Sequence, residues 1–152
     1  MNFISDFSRA TGVLLGLAIG DAMGAPLEGM ERPSVPVTRF YAGGRLPRHA
    51  GASTDDTFQA LALAESLAVC RGFSPTDFMG RLIRDYLVHR EWYGPTSGAV
   101  FSLVIEGVPL SMAARLVHAR LGGSRSNGSV MRGPPIGAFY GGPEVEAVSF
   151  VC

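Results

Sequence analysis

The sequence predicts an all-α fold, and three observations carry that prediction. Apolar residues recur at helical spacing along much of the 152-residue chain. Ser74-Pro75-Thr76-Asp77 has the signature of a helix start: a serine cap, proline at the first position and an acid in the first turn. No segment shows the two-residue alternation of a half-buried strand. The chain is 47% hydrophobic and only 17% charged, with a mean hydropathy of +0.22, which describes mostly buried helices or part of a larger core. There is no internal repeat and no clear linker.

The first helix is expected from about Ser8 to Gly24. Its glycines fall at Gly12, Gly16, Gly20 and Gly24, a smooth ridge on one face. Each costs roughly 1 kcal/mol of helix propensity against alanine, so close packing against another helix is expected to offset them. The apolar run Val13–Ile19 is cut by Asp21 and falls short of the ~20 residues of a membrane span. Asp21 lies near the helix C-terminus, the unfavourable end for an acid, and so calls for a polar partner or a site.

Residues 26–52 read as a long loop broken by prolines and glycines, with Val35, Val37 and Phe40 as a short extended piece. Loops of this length are usually functional or poorly ordered. The second helix is expected from Thr54 to Cys70. Between Phe58 and Val69 only Gln59, Glu65 and Ser66 interrupt its apolar residues, so it is expected to be buried all round. The helix capped by Ser74 places Phe78, Met79, Leu82, Ile83, Tyr86 and Leu87 on one face, with Asp77, Arg81 and Asp85 four apart on another. Two shorter helices follow at about 97–106 and 111–121. Residues 122–142 read as loop, and Pro143-Glu144 opens a helical pattern that reaches Cys152.

Composition excludes several functions. The 13 acidic residues balance 13 basic ones, all arginine, with no basic tract, so nucleic-acid binding is not expected. Without lysine there is neither a P-loop nor a Schiff base. G-x-S-x-G and G-x-G-x-x-G are both missing. Cys70 and Cys152 form no disulfide framework or zinc pattern, His49, His89 and His118 have no metal spacing, and the N-terminus lacks a signal-peptide pattern. The expected setting is a reducing cytoplasm, with no membrane association.

Three segments offer chemistry. Ser53-Thr54-Asp55-Asp56-Thr57 stands at the mouth of the apolar helix. One acid there is ordinary capping. Two adjacent carboxylates beside two threonines exceed what a cap requires, and such hard oxygens suit Mg²⁺ or Mn²⁺. A well-capped helix remains the simpler alternative. Glu28 follows the first helix on the loop, either as a solvated acid or free to point into a cleft. Ser126-Asn127-Gly128-Ser129-Val130-Met131-Arg132 is rich in backbone N–H groups and small polar side chains, which fits a phosphate or ribose cradle or else a plain turn.

In order along the chain, these segments resemble the ADP-ribosylglycohydrolase family. The matching stretches are Gly16 to Glu28, Thr54-Asp55-Asp56-Thr57 with the run to Leu67, Gly94-Pro95-Thr96-Ser97, and Asn127 to Arg132 with Pro135-Ile136-Gly137. The resemblance implies an orthogonal helical bundle with two Mg²⁺ ions, Mn²⁺ being a possible substitute. It implies metal ligation by Thr54, Asp55 and Asp56, and catalytic roles for Glu28, Asp55 and Asp56. It also implies that Asn127, Gly128 and Ser129 line an ADP-ribose pocket. The implied reaction is hydrolysis of the glycosidic bond between ADP-ribose and a protein side chain or small conjugate.

The family is longer than this chain, and its later part carries an Asp-x-Asp-Thr metal motif that has no counterpart here. Residues 1–152 are therefore expected to be the N-terminal part of a single domain, truncated, with an incomplete metal site, weak cation binding and low or absent activity. The alternative is a catalytically incomplete remnant or an ADP-ribose-binding module. Apolar surface left uncovered is expected to favour self-association.

Overall fold

The computed structural model describes residues 3–44 and 47–140. Among them the chain is helical, with no strand and one isolated bridge between Gly43 and Arg48. The helices are α1 (Phe3–Gly24), α2 (Asp55–Cys70), α3 (Pro75–Val88), α4 (Pro95–Ile105), α5 (Leu110–Arg120), α6 (Gly128–Met131) and α7 (Gly133–Phe139). Single 3-10 turns at Ala25–Leu27 and Arg90–Trp92 follow α1 and α3.

α2 is the centre of the arrangement and packs against α1, α3, α6 and α7, while α4 bridges α3 and α5. The main core joins Leu63 and Leu67 of α2 to Phe78, Leu82 and Tyr86 of α3, with Tyr93, Phe101 and Ile136. Burying one such side chain contributes about 1.5–3 kcal/mol. Tyr86, Tyr93 and Phe101 meet edge to face, with centroids 5.2–5.5 Å apart. A second cluster of Leu103, Ala113 and Val117 joins α4 to α5.

Several expectations need correction. α1 begins at Phe3, ahead of Ser8. Its glycine ridge packs against nothing among the described residues: a β-carbon built on Gly12, Gly16, Gly20 or Gly24 meets no atom within 4 Å. α1 is held on its other side, where Ala10 and Leu14 share a cleft with Ala64 and Leu67 of α2 and with Pro135, Ala138 and Phe139. By length and composition the stretch Phe7–Leu27 is also sufficient to cross a membrane, more than the run Val13–Ile19 indicated. Asp21 inside that stretch is engaged by the side chains of Thr54 and Thr57 at the head of α2.

Nor is α2 buried all round. Phe58, Leu61 and Val69 are exposed, because its described neighbours leave that flank uncovered. As expected of a loop, the stretch around Val35, Val37 and Phe40 belongs to neither helix nor strand. The stretch expected to be loop after Arg120 contains α6 and α7. Both are short, and the prolines that open α7 occupy first-turn positions, where a missing N–H costs nothing. The helical pattern expected from Pro143 lies outside the described residues.

The long loop returns to the end of α1. Gly44 has φ +96°, and a β-carbon there would stand 3.0 Å from the Pro26 Cα, so only glycine allows the approach.

Candidate active site at the head of α2

The head of α2 is built by capping from two directions. Thr54 is the N-cap, and its hydroxyl accepts the Asp56 backbone N–H at 3.2 Å. From α1, Asp21 accepts the Thr54 backbone N–H at 2.8 Å and the Thr54 hydroxyl at 2.7 Å. It also accepts the Thr57 N–H at 3.2 Å and the Thr57 hydroxyl at 2.5 Å. Asp21 thus stands at the positive end of the α2 dipole, which offsets its poor position at the end of its own helix. Thr54 and Thr57 are buried. These contacts make the chain entering α2 rigid, and that rigidity aims the next two acids.

Asp55 accepts the Gln59 side-chain amide at 2.8 Å. Asp56 accepts the Asn127 side-chain amide at 3.0 Å, which ties α2 to the start of α6. Burial, then the charge of Asp56, pushes the Asp55 carboxyl up to about 6. Burial and the Asp21 charge raise Asp56. Glu28 is exposed on its loop, yet partial desolvation and the charges of Asp56 and Asp21 raise it as well. These carboxylates share one electrostatic neighbourhood with Asp21: Asp56 and Glu28 oppose ionisation of Asp55, Asp21 opposes that of Asp56, and Asp56 and Asp21 oppose that of Glu28.

The loop residues divide their work. Asn127 contacts Asp56 directly, while Gly128 and Ser129 line a cleft of about 650 Å³. Thr96, Ser97, Ser124, Ser126 and Arg132 add polar groups to that cleft above an apolar floor including Phe78 and Phe101. A second, more open cleft of about 680 Å³ lies on the Thr57 side of α2, walled by Phe58, Trp92 and Arg48. Glu28, Asp55 and Asp56 line neither cleft. Two residues beyond those expected enter the site: Gln59 and Arg132, joined at 2.7 Å. The sequence signal for Gln59 was a lone amide in an apolar helix, one turn after Asp55.

The donor set suits a hard divalent cation in kind, since every candidate atom is a carboxylate or hydroxyl oxygen. Thr54 Oγ1 donates to Asp21 and accepts from Asp56, which leaves one lone pair. Among the described residues no three His, Cys, Asp or Glu side chains converge as a ready-made ion site. Mg²⁺ tolerates such a partial protein shell, because it keeps several waters and is commonly held through one or two carboxylates.

The sequence profile of ADP-ribosylglycohydrolase matches residues 4–152. The chain belongs to the ADP-ribosylglycohydrolase family. It is 35% identical over 133 residues to an uncharacterized protein of Archaeoglobus fulgidus, covering 84% of this chain and 41% of that protein. It is 42% identical over 78 residues to the ADP-ribosylarginine hydrolase Tri1 of Serratia proteamaculans, covering 51% of this chain and 21% of the relative. The solved structure of an ADP-ribosylglycohydrolase-related protein complex superimposes with a TM-score of 0.56 at 33% identity, over 93% of this chain and 52% of the other. The chain thus spans about half the length, or less, of the ADP-ribosylglycohydrolase relatives it matches, and the helical fold is that of the family.

Proposed function

We propose that this chain supplies the acidic half of a site that hydrolyses the glycosidic bond between ADP-ribose and a protein side chain or small conjugate. The observation that carries the reading is the head of α2, where Asn127 donates to Asp56 and where burial, with neighbouring carboxylate charge, resists ionisation of Asp55, Asp56 and Glu28. Opposed carboxylates of this kind favour a cation among them. Asp55, Asp56 and Thr54 are the residues that would hold Mg²⁺, with Mn²⁺ as a substitute. Such a cation would supply charge that acidifies an attacking water and orients ribose hydroxyls.

The chain's own groups do the rest. Asn127, Gly128 and Ser129 offer N–H and hydroxyl groups to ADP-ribose from one side. Water forms the new bond to ribose C1 as the bond to the leaving nitrogen or oxygen breaks. The proton of that water passes to Glu28, whose raised affinity for protons suits it to accept one, and is then returned to the departing nitrogen or oxygen. Remaining carboxylate charge at the head of α2 stabilises the positive charge that develops on the ribose.

A second reading, an ADP-ribose-binding module without turnover, draws on the absence among the described residues of a three-residue ion site. The deciding experiment measures Mg²⁺-dependent release of ADP-ribose from an ADP-ribosyl-arginine substrate by this chain, Asp55→Ala and Asp56→Ala. Release by the parent chain alone supports hydrolysis. Binding without release supports the module. Equal release by all three removes both carboxylates from the mechanism.

A further inference from the structure

Gln59 is fully buried, in a helix whose other buried side chains are mostly apolar or hydroxyl-bearing. A buried amide is costly unless its donors and acceptor are used. Here its Nε2 donates to Asp55 Oδ2 at 2.8 Å, and its Oε1 accepts from Arg132 Nη1 at 2.7 Å. The two contacts fix the amide orientation, because the reversed amide would set its NH₂ against the guanidinium and its oxygen against the carboxylate. Arg132 in turn lies against the first turn of α6, next to Asn127: its guanidinium nitrogens are 3.5 Å from where a Gly128 β-carbon would stand. A continuous path therefore runs from the loop through Arg132 and Gln59 to Asp55. Glutamine is the uncharged side chain of this length with both a donor and an acceptor, whereas glutamate would place a further charge against Asp55.

We propose that Gln59 is a positioning residue, which holds one oxygen of Asp55 so that the other faces the acidic neighbourhood, and that Arg132 keeps Gln59 in that orientation. The proposal rests on the reading of Asp55 as a cation ligand. Partners of this kind typically alter metal affinity about 10- to 100-fold.

The test is Mn²⁺ affinity of the full chain by calorimetry, with thermal melting in EDTA as the folding control. Gln59→Met keeps the shape and removes both contacts. It is expected to weaken Mn²⁺ binding about 10-fold or more. Arg132→Lys keeps the charge but loses the planar fork, and is expected to weaken binding without touching Asp55. The double variant is expected to bind no more weakly than Gln59→Met, because Arg132 acts through Gln59. Additive losses overturn the proposal, as does unchanged affinity in both single variants. If Gln59→Met does not fold, unchanged affinity in Arg132→Lys overturns it by itself. Asp55→Asn separates the two claims. Mn²⁺ binding that is lost in Asp55→Asn but unchanged in the other variants overturns only the positioning role. No binding by the parent chain, or equal binding by Asp55→Asn, overturns the reading of the site and the proposal with it.

Discussion

Asp21 and Thr57 lie 36 residues apart and are joined by two hydrogen bonds, the Thr57 N–H and hydroxyl both donating to the same carboxylate oxygen. With the two contacts to Thr54, this carboxylate is the brace between α1 and α2. Asp21→Ala leaves buried donors at Thr54 and Thr57 without a partner and is expected to destabilise the fold by about 3 kcal/mol in urea denaturation. Asp21→Asn, which keeps one acceptor, is expected to fall between the two. A loss below about 1 kcal/mol for the alanine variant, the size of one ordinary hydrogen bond, contradicts the brace.

Stability depends on pH through Asp55. Its carboxyl is raised to about 6 in the fold, so in that range the folded chain binds more protons than the unfolded one. The protonated form favours folding. Its contribution is complete below the unfolded value and is lost as pH rises through about 6. With Asp55 part-exposed, solvent screening leaves on the order of 1 kcal/mol. In EDTA, the urea midpoint of the parent chain is expected to fall between pH 4.5 and 7.5 relative to that of Asp55→Asn. Parallel profiles for the two proteins count against the perturbed carboxyl.

Divalent cation acts in the opposite sense. Mg²⁺ that binds the folded chain alone at tenfold its dissociation constant is expected to add about 1.4 kcal/mol of stability at pH 7.5. Asp55→Ala and Asp56→Ala are expected to lose that gain. The melting temperature with and without Mg²⁺ measures it, and an equal rise in all three proteins removes these acids as ligands.

Asn127 connects the loop to Asp56 from an exposed position. Asn127→Ala is expected to leave the melting temperature within about 2 °C, as exposed substitutions generally do. It is expected to weaken ADP-ribose binding roughly 10-fold, the equivalent of about 1.4 kcal/mol for one charge-assisted contact and the loop order it maintains. Titration calorimetry with ADP-ribose reads the difference, and unchanged affinity excludes the loop from the ligand site.

The open face of α1 carries Leu15 at 57% and Ile19 at 49% exposure beside its glycines. Apolar patches of this kind favour association. Leu15→Glu with Ile19→Glu is expected to reduce self-association in sedimentation velocity without lowering the melting temperature. Unchanged sedimentation assigns any association to another surface.

Local rules made much of the fold legible. Ser74 and Thr54 both cap helices as their neighbours require, α3 begins at the expected cap, and α2, α4 and α5 begin and end within two residues of the expected bounds. The acids at Asp55 and Asp56 stood out because capping needs only one. α6 and α7 were hidden because seven residues or fewer carry no helical period, and their glycines and prolines also read as loop.

Chain chemistry alone sufficed for the course of the longer helices, the Thr54 and Ser74 caps and the family, since each depends on residues within a turn or a motif of one another. The partner of Asp21, the solvent-facing side of the glycine ridge and the path from Arg132 through Gln59 to Asp55 depend on packing. Each involves segments that no local preference brings together, and a hydrogen bond between residues 33 to 73 apart exists only once helices have met. An acid at the unfavourable end of α1 became intelligible when the positive end of α2 was found beside it.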